Sequence, residues 1–176
     1  DNFILSSYMI LPNEETRTLL NNWIYNVYKY NETIQTYTLL QKLTTYIFKN
    51  FTYKVREEAG VQTAKQTLSY GSGSCRDFAF LFMEVVKCLG LATRFVSGYL
   101  YAPLMSDKVG STHAWAEVYL PGGGWIGFDP TTGNIAGTDH ISVAVSRLPD
   151  NVPPIAGSFL GVSDSTISVG VWVTKV

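Results

Sequence analysis

The chain of 176 residues is 46% hydrophobic and 14% aromatic, and its formal net charge at pH 7 is −1. These values indicate one domain with a real core and argue against intrinsic disorder. The sequence contains neither a basic block that would favour nucleic acid or an anionic membrane nor an apolar run long enough to cross a bilayer. We therefore expect a cytoplasmic protein with no nucleic-acid or membrane partner, whereas the composition leaves the oligomeric state open.

Helical periodicity dominates the first half of the chain. Asn13 precedes two glutamates, a pattern typical of a capped helix start, and Thr63 is a second candidate cap. Gly90 is typical of the residue at which a helix stops. We predict four helices, at residues 14 to about 28, 36–48, 63–68 and 75–89.

After Gly90 the apolar pattern changes from helical to alternating, which favours strands. A run of proline and glycine at 121–124 predicts a hairpin loop. The order of helices followed by an antiparallel sheet indicates an α+β fold. We predict strands at residues 51–55, 92–101, 113–120, 124–129, 140–145, 158–162 and 165–173.

Cys75 lies directly after a small-residue loop, in the stretch YGSGSCRDFAFLF, where the clearest helix begins. Unpaired backbone N–H groups and the helix dipole stabilise a thiolate at such a position, and the thiolate is the nucleophilic form. The N–H of Cys75 would also be available to a developing oxyanion. The alternative is that Cys75 is only a small buried apolar residue, which is the role we assign to Cys88. Thirteen residues of helix separate the two thiols, too far for a disulfide.

A nucleophilic thiol needs a base, and His113 and His140 are the two histidines in the chain. Asp129 would orient His113 if both side chains lay on one face of the hairpin. A five-residue loop at residues 120–124 pairs Tyr119 with Trp125 and brings His113 diagonal to Asp129, whereas a regular four-residue loop puts them on opposite faces. The candidate triad therefore predicts the odd register.

Other residues around this hairpin have two interpretations. Trp115 and Trp125 either line a substrate cleft or pack around the candidate triad. His140 is interpreted as structural, because no base or metal partner accompanies it in the sequence. Cys75, Cys88 and the histidines lack the spacing of a zinc site, so we predict neither a metal nor another cofactor.

The segments GSGSCRDFAFLF and STHAWAEVYLPGGGWIGFDPTTGN resemble the transglutaminase-like superfamily, in particular its bacterial branch of cysteine-protease-like proteins. The resemblance implies a papain-like α+β fold, with N-terminal helices and a cysteine-bearing helix packed on an antiparallel sheet. It makes Cys75 the nucleophile, His113 the base and acid, and Asp129 the orienting residue. Arg76 and Asp77 match the family pattern, and we expect them to form an ion pair that fixes the helix start.

The resemblance also implies a single catalytic domain over residues 1–176, with a β-rich tail from about residue 139. Bacterial relatives often carry an upstream β-rich domain, which we expect to be absent from this chain. The sequence lacks an acidic cluster like the calcium sites of animal transglutaminases, so calcium activation is not expected.

The expected reaction is acyl transfer from a peptide or carboxamide through a cysteinyl thioester, with hydrolysis of a protein or peptide substrate as the first hypothesis. Transamidation of glutamine side chains is the alternative. A non-catalytic interaction module on the same fold and an arylamine acetyltransferase-like enzyme remain as further alternatives.

Overall fold

A computed structural model describes residues 5–29, 31–101, 112–158, 160–161, 166 and 168–174. The helices are α1 (Glu14–Ile24), α2 (Thr36–Asn50), α3 (Ala64–Tyr70) and α4 (Cys75–Cys88), with a 3₁₀ helix at Pro149–Asn151. The strands are β1 (Thr52–Tyr53), β2 (Ser72–Gly73), β3 (Thr93–Leu100), β4 (Thr112–Leu120), β5 (Gly124–Asp129), β6 (Asn134–Ile135) and β7 (His140–Ser146).

Five of the strands form one antiparallel sheet in the order β6-β5-β4-β3-β7, and β1 and β2 form a separate parallel pair. Helix α4 packs on β3 and β4 on one side, and it also contacts α1, α2, α3 and β2. It is therefore surrounded by both layers of the fold. The predicted α+β class is confirmed.

The core lies between α4 and one face of the sheet. Because neighbouring residues of a strand point to opposite faces, Ala114, Ala116 and Val118 of β4 face this core together. Its fully buried large side chains include Phe78 and Phe82 of α4 and Phe128 of β5. The rings of Phe82 and Phe128 stack with their centroids 5.7 Å apart.

The four predicted helices are all present, with ends that differ by one to four residues. The first helix ends at Ile24 instead of about residue 28, because the chain continues as turns. The strand expected at 51–55 is confined to Thr52–Tyr53. The strands predicted at 158–162 and 165–173 are wrong for the described part of those ranges, and the remainder lies outside the described residues. An alternating apolar pattern does not form a strand by itself, and no neighbouring strand pairs with the described residues of this tail.

The odd register of the β4–β5 hairpin is confirmed. Tyr119 pairs with Trp125, and Leu120 pairs with Gly124, so the loop consists of residues 121–123. This register brings the end of β5 beside the beginning of β4. No helix in the described part of the chain has the length and apolar character of a membrane span.

Candidate active site

The loop before Cys75 is held in place by a short parallel strand pair. Thr52 pairs with Ser72 and Tyr53 with Gly73, and the N–H of Lys54 donates to the carbonyl of Gly73 over 2.8 Å. Gly73 lies so close to the first turn of α4 that a Cβ atom there would be 2.8 Å from the Cβ of Asp77. A glycine is needed at this position because no larger side chain fits.

Asp77 fixes the beginning of α4 from inside the protein. Its fully buried carboxylate accepts hydrogen bonds from Ser74 N at 2.7 Å, Ser74 Oγ at 2.8 Å and Gln62 N at 2.7 Å. Burial raises the pKa of this carboxyl, but these bonds and the one from Arg56 outweigh it, and the pKa is lowered overall.

The ion-pair partner of Asp77 is Arg56, whose Nη1 lies 2.7 Å from Oδ1, and the expected pairing with Arg76 is wrong. Arg76 instead donates to the carbonyl oxygens of Arg56 and Glu58, at 3.2 and 3.1 Å. Sequence adjacency misled the prediction, because consecutive helical residues point in different directions. Both side chains nevertheless attach the start of α4 to the segment that follows β1.

His113 on β4 and Asp129 at the end of β5 are in direct contact. Nε2 of His113 lies 2.8 Å from Oδ2 of Asp129. His113 is 7% exposed and Asp129 is fully buried. Cys75 also lies close enough to interact electrostatically with the ring of His113. Since Nε2 is used by Asp129, Nδ1 is the nitrogen left for the thiol.

This arrangement favours a protonated imidazole. Burial lowers the pKa of His113, but the hydrogen bonds and negative charges of Asp129 and Cys75 outweigh it and raise the pKa to about 10. Burial raises the pKa of Asp129, but hydrogen bonds from His113 and His140 outweigh it and hold the pKa well below its usual value. The site therefore stabilises a carboxylate next to an imidazolium.

His140, at the start of β7, is part of the same cluster, which the sequence analysis did not anticipate. Its Nε2 lies 3.0 Å from Oδ2 of Asp129, the oxygen that also contacts His113. The reason given for a purely structural role, the lack of a partner, is therefore wrong. The missing information was the pairing of β7 with β3, which places a residue eleven positions after Asp129 beside it.

One ligand atom from each of His113, Asp129 and His140 lies within 4.8 Å of the others, a grouping that can also occur around a metal ion. In this structure the same atoms are already joined by hydrogen bonds. Asp129 additionally accepts from Thr131 N at 2.9 Å and from Thr132 Oγ1 at 3.0 Å. The hydrogen-bonded arrangement accounts for the cluster, and we assign no metal to it.

Cys75 and His113 meet at a cleft of about 600 Å³. One wall is formed by the segment after β1, including Tyr53, and another by the segment Pro149–Pro154 after β7. Cys75 itself is 9% exposed, so the sulfur lies at the bottom of the cleft. Burial raises the pKa of Tyr53, and the charge of Cys75 raises it further.

Neither Trp115 nor Trp125 is among the described residues that line this cleft. Trp115 is 2% exposed and stacks on His113, with ring centroids 6.2 Å apart. Trp125 contacts Tyr119, and the guanidinium of Arg94 lies 4.3 Å above its ring. These contacts support packing around the candidate triad for Trp115. Trp125 packs on Tyr8, Tyr119 and Arg94 instead, so it matches neither alternative.

Cys88 lies at the opposite end of α4 and is a free, half-buried thiol, as is expected of two separate cysteines. Burial raises the pKa of Cys88 to about 11, with a further contribution from the charge of Glu84. The thiol of Cys88 therefore remains protonated at neutral pH.

Residues 28–130 match the family model of the transglutaminase-like superfamily, and the chain belongs to this superfamily. An uncharacterized protein of Mycobacterium leprae is 36% identical over 109 residues, which cover 59% of this chain and 38% of that protein. An uncharacterized Mycobacterium tuberculosis protein is 31% identical over 73% of this chain and 44% of its own length. The chain thus spans about two fifths of the length of these relatives.

Two solved structures show the same fold. One is described as a "Putative Cysteine Protease" from Cytophaga hutchinsonii, with a TM-score of 0.67 at 22% identity, covering 95% of this chain and 58% of that one. The other is the periplasmic domain of TgpA from Pseudomonas aeruginosa, with a TM-score of 0.56 at 23% identity, covering 76% and 48%. The family expected from the sequence is confirmed, and with it the transglutaminase-like fold.

Proposed function

We propose that this protein is a thiol-dependent acyl-transfer enzyme that hydrolyses peptide or carboxamide bonds in a protein or peptide substrate. Cys75 is the nucleophile, His113 the general base and acid, and Asp129 the residue that orients His113. The observation that carries the proposal is the 2.8 Å contact between His113 and Asp129, next to Cys75 at the bottom of a cleft. A nucleophile, a base and an orienting carboxylate in this order are the parts that covalent catalysis requires.

The proposed reaction has two halves. Cys75 gives its proton to Nδ1 of His113, and the thiolate attacks the carbonyl carbon of the substrate. The C–N bond breaks, His113 gives the proton to the leaving amine, and an acyl thioester remains on Cys75. A water molecule then transfers a proton to His113 and attacks the thioester, the C–S bond breaks, and the carboxylic acid leaves while Cys75 regains its proton.

Backbone N–H groups at the beginning of α4 have no acceptor within the helix. In the proposed mechanism the N–H of Cys75 donates to the oxyanion that forms at the attacked carbonyl. The buried Asp77 supports this role, because it fixes Ser74 and hence the direction of the first turn. Its contribution is positional, since it does not line the cleft.

Alkylation of the two cysteines tests the nucleophile before any natural substrate is known. We expect iodoacetamide at pH 6.5 to label Cys75 rapidly, measured by peptide mass spectrometry. Cys88 is an internal reference within each sample, because its pKa of about 11 leaves almost no thiolate at this pH. His113→Ala should slow the labelling of Cys75 but not that of Cys88. Equal labelling of both thiols, or no effect of His113→Ala, would contradict an activated Cys75.

Hydrolysis and transamidation are distinguished by the fate of the thioester, since water and an amine compete for it. We expect incubation with casein to release new amino groups or ammonia without added amine. The variant Cys75→Ala should abolish this release, and Cys88→Ala should preserve it. If product forms only when a primary amine such as monodansylcadaverine is supplied, transamidation replaces hydrolysis as the function.

A non-catalytic interaction module is the competing proposal from another class. It gives no reason for a cysteine and a histidine to line the same cleft, with a buried aspartate hydrogen-bonded to the histidine. A Cys75→Ala protein that retains full biological activity and native stability would favour it.

The LapG structure from Legionella pneumophila, which is 18% identical over 82% of this chain with a TM-score of 0.54, is described as calcium-bound. EGTA should nevertheless leave the activity of the present protein unchanged.

The compartment also remains a proposal. The sequence suggests a cytoplasmic protein, whereas the TgpA structure is of a periplasmic domain. Fractionation of cells that produce the full-length protein, followed by detection with an antibody, distinguishes the two locations.

A further inference from the structure

One oxygen atom of Asp129 serves both histidines of the protein. Oδ2 lies 2.8 Å from Nε2 of His113 and 3.0 Å from Nε2 of His140. The other oxygen, Oδ1, accepts from the N–H of Thr131 at 2.9 Å. The two imidazoles therefore compete for the charge on a single, fully buried oxygen.

The backbone determines which nitrogen of His140 carries the proton. The N–H of Gly137 donates to Nδ1 of His140 over 3.2 Å, so Nδ1 must offer a lone pair. A neutral His140 then has its proton on Nε2 and donates it to Asp129. The turn that holds the ring is itself closed by a 3.0 Å bond from the N–H of His140 to the carbonyl of Gly137. His140 is thus a neutral donor whose orientation is fixed by its own turn.

We propose that His140 is a positioning residue of the active site, which acts through Asp129 and limits how strongly that carboxylate retains the proton on His113. This role rests on the proposed function of Cys75, His113 and Asp129. Thr132 Oγ1 also donates to Oδ2, at 3.0 Å, so Asp129 stays in place without His140. The distinctive contribution of His140 is therefore to withdraw charge from the shared oxygen.

A general base works best when its pKa is near the working pH, because it must both accept and release the proton. The titratable groups facing His113 are Cys75 from α4 and Asp129 from β5, both of which favour the protonated ring. His140 from β7 opposes this effect through Asp129, and Tyr53 from β1 interacts electrostatically with Cys75 and Asp129. Once Cys75 has been acylated, its negative charge is gone. Asp129 and its hydrogen-bond donors then set the pKa of His113, and hence the pH at which His113 can take a proton from water.

Two substitutions separate hydrogen bonding from packing at this position. His140→Phe keeps a ring against Trp115, whose ring centroid lies 5.1 Å from that of His140, but it cannot donate to Asp129. His140→Gln loses the ring but retains an amide N–H at a similar distance from the backbone. If His140 acts by packing, His140→Gln should be the more harmful substitution. If it acts as a hydrogen-bond donor, His140→Phe should be the more harmful one.

Long-range ¹H–¹⁵N NMR of histidine-labelled protein reads both rings directly, since the chain has two histidines. In the unaltered protein we expect neutral His140 to carry its proton on Nε2. In a Cys75→Ala background, which removes the thiolate, His140→Phe should raise the pKa of His113 by roughly 0.5–1 unit, because Asp129 loses a competing donor. His140→Gln should leave the value near that of the Cys75→Ala protein.

The same shift should appear in catalysis. This test uses p-nitrophenyl acetate as the acyl donor and protein with Cys75 intact. In His140→Phe, the acidic limb of the pH–rate profile of thioester hydrolysis should move to higher pH, while the rate on the plateau is retained. His140→Gln should preserve the profile. The proposal is overturned if the pKa of His113 does not move, if Phe and Gln act alike, or if neutral His140 carries its proton on Nδ1. The last result is available from the unaltered protein even if a variant fails to fold.

Failure of this role and failure of the proposed function give different results. If Cys75 is not a catalytic nucleophile, p-nitrophenyl acetate is not turned over, whereas the NMR measurements on the two histidines still report the shared hydrogen bonds. If only the role of His140 is wrong, turnover persists and the pH profile of His140→Phe matches that of the unaltered protein.

Discussion

Asp129 connects the parts of the candidate site, because both of its carboxylate oxygens accept hydrogen bonds from neighbouring residues. His113 and His140 approach Oδ2, and the N–H of Thr131 approaches Oδ1. The side chain is fully buried and remains charged at neutral pH because these donors lower its pKa. Its negative charge is what the imidazolium of His113 needs.

Asp129→Asn removes that charge while preserving the size of the side chain. We expect the pKa of His113 to fall and the labelling of Cys75 by iodoacetamide at pH 6.5 to slow by roughly 10–100-fold, since one pKa unit corresponds to a factor of ten. Glu32→Gln, which neutralises an exposed acid away from the cleft, serves as the control and should label at the original rate. Rapid labelling of the Asp129→Asn protein would show that Asp129 does not activate the thiol.

The candidate triad could be predicted from the sequence because its three residues lie in regular elements. Cys75 begins a helix, and one odd loop determines whether His113 and Asp129 share a face. His140 could not be predicted in this way. Its position depends on which strand β7 joins, and pairing with β3 is a long-range contact that periodicity does not encode.

At the level of elements, the start of α4 is fixed from several directions. Asp77 binds the residue before the helix, and Arg56 from the segment after β1 neutralises its charge at 2.7 Å. Gly73 permits the close approach of β2 to this turn. Cys75 is therefore positioned by elements on either side of it in the chain.

Asp77→Asn should destabilise the protein by roughly 2–4 kcal/mol, because it breaks a buried ion pair and leaves the exposed Glu58, 3.5 Å away, as the remaining charged partner of Arg56 among the described residues. Urea unfolding followed by circular dichroism measures this loss. Glu15→Gln is a matched control, since it removes an exposed ion pair with Lys65 at the start of another helix, and it should have no measurable effect. Similar losses for both variants would indicate that the burial of Asp77 is unimportant.

Gly98 in β3 allows β7 to approach at an irregularity in the strand pairing. A Cβ atom at this position would collide with the backbone carbonyl of Ile141 and lie 2.9 Å from Cη2 of Trp115. We expect Gly98→Ala to cost about 1–3 kcal/mol of unfolding free energy, measured in urea. Gly123→Ala, where the nearest atoms are 3.7–3.9 Å away, should cost much less. Equal costs would argue against close contact between β3 and β7.

The N-terminal helices and the central strands were predictable because their apolar residues repeat with one period over many positions. The ends of these elements and the short strands β2 and β6 were not. Both short strands have two residues, and each exists through its partner: Ser72 pairs with Thr52, and Asn134 pairs with Asp129. In the tail, alternation predicted strands for which the described residues have no partner strand.

For the molecule as a whole, the buried titratable groups define a pH range of maximal stability. The pKa of His113 is raised from 6.5, so its contribution is complete below pH 6.5 and is lost as the pH rises toward about 10. The pKa values of Asp77 and Asp129 are lowered from 3.8, so their contributions are present above that value and are lost as the pH falls below it. The free energy of unfolding should therefore be greatest between about pH 3.8 and pH 6.5.

Thermal unfolding from pH 3 to pH 10 measures this range, with the melting temperature as the readout. His113→Gln should remove most of the decline on the alkaline side while retaining the decline on the acidic side. A melting temperature that stays constant up to pH 9 would show that His113 titrates near its ordinary pKa in the folded protein.

The position of β7 at the edge of the sheet makes this part of the protein the first that we expect to unfold on heating. Among the described strands, β7 pairs with β3 alone. It begins with His140 and leads into Pro149–Pro154, which forms a wall of the cleft. If heat frays this edge while α4 and the central strands stay folded, Asp129 loses a donor and the cleft loses a wall in the same event. If the protein has the proposed activity, its inactivation by heat should thus begin below the melting temperature and reverse on cooling, because Cys75 stays at the start of a folded helix.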